Sequence, residues 1–197
     1  MIGLVIFAVD KAVVSLINIA GRPYLVSGFN FFNLITIFFN WLLPLLIVFK
    51  IEKQGSVSLG LRIKPDRRYL YLLLILAGFV LPSFFTGLSK ELFVEFFEQL
   101  AFIGLAEEFF YRGYLMGRFC EWLGNFKGLL LNAAVFSLAH LIFLFTRHDF
   151  SLVWGDLFVG FQTLMGGLLL GYIYIRAGDI VPSSILHISL NVYLSRL

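Results

Sequence analysis

The sequence predicts an all-α fold, a multi-pass transmembrane helical bundle of about seven helices, in a single domain over residues 1–197. Three observations predict it. Sixty per cent of the residues are hydrophobic, only 14% are charged, and mean hydropathy is +0.92. A soluble domain averages about 45–50% apolar and about 25% charged residues. The 24 phenylalanines suit helices that face lipid and pack on one another. The lipid bilayer is therefore an expected partner, and the cell membrane the expected location. A net charge of +3 is too small to point to nucleic acid. The single cysteine, Cys120, excludes an intrachain disulfide and a cysteine metal cluster. No basic lead and no small-residue cleavage site mark a signal peptide.

The elements follow in order. Met1 to Ala20 reads as a first helix, weakened by Asp10-Lys11 and ended by Gly21-Arg22-Pro23. Phe29 to Phe49 is an apolar run long enough to cross roughly 30 Å of hydrocarbon, with Pro44 as its kink. Lys50 to Arg68 is the most polar stretch and reads as a loop. Tyr69 to Leu88 is the next span. Ser89 to Gln99 sets Glu91, Glu95 and Glu98 at helical spacing against bulky residues, an amphipathic interfacial pattern. Leu100 to Leu123, Phe126 to Thr146, Ser151 to Ile175 and Ile180 to Leu197 complete the bundle. Gly113 with Gly117, and Gly167 with Gly171, are small residues four apart that let helix backbones approach.

Orientation follows from the cations. With the 50–68 loop inside, Lys50, Lys53, Arg62, Lys64, Arg67, Arg68, Arg118, Lys127 and Arg176 fall on the cytoplasmic side. Arg22, Lys90, Arg147 and Arg196 fall on the other. The threading puts Glu107 in the outer half of its helix.

The costly residues are Glu107, Glu108 and Arg112, set in an apolar run. Glu108 and Arg112 are four apart, share a helix face and are expected to pair. Glu107 points elsewhere. His140 lies on the apolar 126–146 helix, and His187 and Asn191 are four apart on the last one. Facing helices of a bundle bring such residues to one cavity. A carboxylate and an imidazole there deprotonate a water molecule, while a second imidazole and an amide donate to an oxyanion. This chemistry would hydrolyse an amide bond by activated water, without a covalent intermediate. The spacing also leaves open a Zn²⁺ site of His140, His187 and Glu107. The sequence holds neither a Gly-x-Ser-x-Gly elbow nor a His-Glu-x-x-His helix.

Glu-Glu-x-x-x-Arg at 107–112, Phe-x-x-x-His at 136–140 and His-x-x-x-Asn at 187–191 resemble the three ordered motifs of the CPBP family. These are the type II CAAX prenyl proteases and their bacterial Abi relatives. The resemblance covers about residues 100–197, the expected catalytic core. It implies a glutamate-dependent intramembrane endopeptidase that needs no metal and acts on a membrane-anchored protein or peptide. It implies that Glu107 and His140 activate water, that His187 and Asn191 form the oxyanion hole, and that Glu108 and Arg112 support the site. Bacterial relatives are linked to immunity, peptide maturation and sorting-signal processing. A non-catalytic immunity or regulatory protein on the same scaffold is the competing reading. A proton-relaying transporter is a third, and no inverted repeat supports it.

Overall fold

The structure is a computed structural model that describes residues 24–26, 29–30, 37–61, 103–147 and 153–194. It is helical. Five helices hold most of the described residues, and a short antiparallel hairpin pairs β1 (Tyr24–Val26) with β2 (Phe29–Asn30). The predicted first helix, the 69–88 span and the amphipathic 89–99 segment lie outside the described residues.

The hairpin corrects one expectation. Phe29 does not start a helix. The Ser27-Gly28 pair between two short apolar runs is turn-forming, and Phe29 and Asn30 pair back on Tyr24–Val26. The helix of this region is α1, described over Ile37–Ile51, an apolar stretch of which the described residues are fewer than a full span needs. Pro44 sits in its central α-helical turn, Leu43–Leu46, with π-helical turns at Ile37–Leu42 and Ile47–Ile51. A proline lacks an N–H and crowds the carbonyl four residues back, and wider turns on either side relieve both problems.

The 50–68 loop is also only partly a loop. Lys50 still belongs to α1, and Ser56–Leu59 forms a 3-10 turn. This turn is a latch. Leu59 is fully buried, and Gly60 takes a left-handed conformation at φ 70°. The Ile180 N–H donates to the Gly60 carbonyl at 3.1 Å.

Helix α2 (residues 104–123) is α-helical at Gly104–Glu108, π-helical at Phe109–Met116 and α-helical again at Gly117–Leu123. Gly124, at φ 79°, turns the chain directly into α3 (Asn125–Arg147). The two helices meet so closely that a Cβ on Gly128 would lie 2.8 Å from the Cys120 nitrogen. Helix α4 (Trp154–Ala177) returns antiparallel to α3. Its Gly160 meets Leu141, Gly167 meets Ala133 and Gly171 meets Leu129. The Ser137 hydroxyl donates to the Gly160 carbonyl at 2.6 Å. Small residues let the two backbones close up, as the Gly167/Gly171 spacing predicts. The start of α4 is capped by Asp156, whose carboxylate accepts from the Val153 N–H at 2.9 Å.

Left-handed Gly178 ends α4. Asp179 then accepts from the Val181 N–H at 2.9 Å and opens α5 (Val181–Leu194). Among the described residues, Asn125–Phe145 and Trp154–Ala177 are long and apolar enough to cross a membrane. The exposed face of α4, including Trp154, Phe158, Phe161, Met165, Leu169 and Tyr172, recurs at three- and four-residue steps. That stripe suits a lipid-facing surface.

Candidate active site

The site is built where α2, α3 and α5 meet. Glu108 and Arg112 lie on one face of α2 and are both 0% exposed, and Arg112 Nη1 stands 2.8 Å from Glu108 Oε1. The pairing read from their spacing is therefore present. The same carboxylate oxygen accepts from His187 Nδ1 at 2.9 Å, across to α5. Ser183, one turn before His187, adjoins the carboxylate as well. A buried carboxylate survives only with such partners, and Glu108 has them on two helices.

Glu107 is oriented differently. Its side chain keeps 22% of its surface exposed, and its Oε2 lies 3.8 Å from His187 Nε2. That separation is ion-pair range, beyond a direct hydrogen bond. His187 thus stands between the adjacent carboxylates. It is fixed at Nδ1 by Glu108 and presents Nε2 toward Glu107.

The Phe136 ring is the hub on α3. The Arg112 guanidinium lies over it at 4.4 Å from the centroid. His140 packs against it at 4.6 Å, His187 at 5.9 Å and Tyr111 at 4.9 Å. A desolvated cation–π contact is worth about 2 kcal/mol. It matters here because Arg112 Nε and Nη2 are buried with no hydrogen-bond partner among the described residues. His140 donates from Nδ1 to the Phe136 carbonyl at 2.9 Å, so Nε2 carries the lone pair of the neutral ring. Asn191 is half-buried on α5, one turn beyond His187. Asn132, fully buried on α3, donates to the Tyr111 carbonyl at 2.8 Å and ties α3 to the π-helical part of α2.

The structure joins Glu108, Arg112 and His187 through direct polar contacts, sets Glu107 at ion-pair distance from His187, and joins His140 to them through Phe136. The sequence reading gave no role to Phe136, Asn132 or Ser183. Their signal was periodicity. Asn132, Phe136 and His140 are four apart on α3, and Ser183, His187 and Asn191 are four apart on α5. Each series marks one helix face. Among the described residues, no three His, Cys, Asp or Glu side chains gather closely enough to hold a metal ion.

Residues 70–193, more than half of the chain, match the family model described as type II CAAX prenyl endopeptidase Rce1-like. No curated protein and no solved structure matches the chain.

Proposed function

The chain belongs to the Rce1-like type II CAAX prenyl endopeptidase family, and from that premise we propose that it is a glutamate-dependent intramembrane endopeptidase of the cell membrane. Its substrate is a membrane-anchored protein or peptide, and its role is maturation or sorting-signal processing. The observation that carries the mechanism is His187 held between two carboxylates, one buried and paired with Arg112, the other partly exposed.

In this reading Glu107 takes a proton from a water molecule, with His140 Nε2 as the second acceptor. The resulting hydroxide attacks the scissile carbonyl carbon. Charge then develops on the carbonyl oxygen, where His187 and Asn191 donate hydrogen bonds. Because His187 Nδ1–H is spent on Glu108, Nε2 donates only when the ring is doubly protonated. An imidazolium at His187 would stand between two carboxylates, with Arg112 beside the buried one. The C–N bond breaks as the proton taken from water passes to the leaving amine. No step calls on a metal or another cofactor.

The test is proteolysis of a membrane-anchored reporter peptide, carrying a fluorophore–quencher pair, by the purified protein in proteoliposomes. Glu107→Ala and His140→Ala should each abolish cleavage that the unaltered protein performs. Undiminished cleavage in both would sink the glutamate mechanism. Loss on chelation, restored by Zn²⁺, would transfer the chemistry to a metal.

A further inference from the structure

Helix α4 carries a polar side chain for which the bundle provides no bond. Gln162 is exposed and has no hydrogen-bond partner among the described residues. It lies about 12 Å of helix past Trp154 and about 21 Å before Arg176, within a hydrocarbon layer of about 30 Å. Its neighbours on that face, Phe158, Met165 and Leu169, are exposed and apolar. An amide in this position gives up its bonds to water and gains none from lipid. The adjacent Thr163 avoids that cost, because its hydroxyl donates to the Val159 and Gly160 carbonyls at 3.0 Å. A polar side chain left over on a span finds its partner on another helix.

The two faces of α4 are built differently. Gly160, Gly167 and Gly171 pack on α3. Gln162 is roughly opposite them, since Gly167, five residues on, is about 140° round the helix. Gly155 and Gly166 share the Gln162 side, and a Cβ on either would meet nothing within 4 Å. Gly166 follows Gln162 by one turn, so a second helix can approach the α4 backbone beside the amide.

The chemistry of this face selects the partner. From Leu157 to Ile175 α4 bears no charge, so nothing on it selects a charged helix. α4 supplies none of Glu107, Glu108, His140 or His187, and its outward face is turned away from α3. A substrate helix lying there would stand apart from those groups. A carboxamide is both donor and acceptor. Across a two-fold axis from its own copy, each amide donates to the other and both are satisfied.

We propose that the outward face of α4 is the contact between two copies of this chain. The two α4 helices pack parallel about a two-fold axis along the membrane normal, with the Gln162 amides bonded to each other. This inference does not rest on the endopeptidase reading.

The experiment is disulfide crosslinking of the full chain in proteoliposomes, with Cys120→Ser so that each variant carries one thiol. Phe158→Cys and Leu169→Cys flank Gln162 on the outward face and leave the amide in place. Leu157→Cys is the reference, exposed but about 140° round the helix from Gln162. Copper-phenanthroline oxidation should crosslink the 158 and 169 variants into dimers well above the 157 variant. Subunit counting by photobleaching in dilute liposomes should show two steps, and Gln162→Leu should lower association about tenfold. Gly166→Leu should also lower it, because its Cβ meets nothing in its own chain and the added bulk excludes only the second copy. Equal crosslinking at all three positions, single-step bleaching throughout, or association unmoved by Gln162→Leu overturns the proposal. So does protection of the 158 and 169 thiols from a lipid-soluble maleimide in single-copy liposomes, since the chain itself would then cover the face. None of these readouts needs catalysis, so failure of the cleavage assay would leave this contact standing.

Discussion

At the scale of residues, Glu107 and Glu108 are neighbours in sequence with opposite environments, and two substitutions separate their roles. Glu108→Gln leaves Arg112 buried without its counter-charge and weakens the acceptor for His187 Nδ1. Breaking a buried pair costs about 3–5 kcal/mol, so this variant should melt well below the parent in detergent micelles. Glu107→Gln touches a partly exposed group and should change stability by less than about 1 kcal/mol while lowering cleavage by about 10²–10⁴-fold. If Glu107→Gln is the less stable variant and retains cleavage, brace and base have been assigned the wrong way round. Asn191→Ala should lower kcat by about 10²–10³-fold, with KM for the reporter peptide little changed, as expected for an oxyanion donor. The Glu108–Arg112 pair was legible because helical spacing dictates it. The His187–Glu108 bond was not, because it depends on how far α5 slides along α2, and no spacing within either helix encodes that offset.

At the scale of elements, glycine decides where helices stop and how closely they approach. A Cβ on Gly113 would sit 2.5 Å from the Leu59 carbonyl oxygen, a backbone atom with no rotamer to yield. Gly113→Ala should therefore cost about 1–3 kcal/mol by forcing the latch off α2. Thermal melting reads the loss, and faster proteolysis of the 52–61 segment reads its cause. Asp179 governs the start of α5 from the turn before it. Burial pushes its carboxyl up, only partly offset by the Val181 N–H. An acid whose pKa is raised by folding binds its proton more tightly folded than unfolded. Stability then falls as pH rises from the ordinary aspartate range through the folded value, and stays lower above it. Asp179→Asn keeps an acceptor for Val181 and removes the charge. It should raise the melting temperature at neutral pH and do so much less near about pH 3. An equal gain at both pH values would show that the charge is not what matters. The sequence placed α3, α4 and α5 well, since each is an uninterrupted apolar run bounded by glycine or charge. It misplaced the start of α1, since an apolar run with a Ser-Gly pair upstream suits a strand as well as a helix end.

At the scale of the whole molecule, composition pointed to the membrane class, and the three motifs marked the helices that meet at the candidate site. What neither contained was the latch, a polar stretch that reads as a plain loop until Leu59 and Gly60 are seen packed against Gly113, Tyr174 and Ile180. Its position divides the molecule. Glu52, Arg118, Gly60 and Ile180 hold one end, and Glu107, Glu108, Phe136 and His187 form the site toward the other. Arg118 and Glu108 are about 15 Å apart along α2 and share no polar partner. Changes at sites so separated usually add to within about 0.5 kcal/mol. A double-mutant cycle of Arg118→Ala and Glu108→Gln should therefore show stability losses that sum. The same latch variant should leave the pH profile of cleavage unmoved, because none of its contacts reaches His187 or Glu107. A coupling above about 1 kcal/mol would mean that the rigid α2 transmits the state of the latch to the carboxylates. The two ends would then be one switch, and the π-helical segment Phe109–Met116 between them its mechanical link.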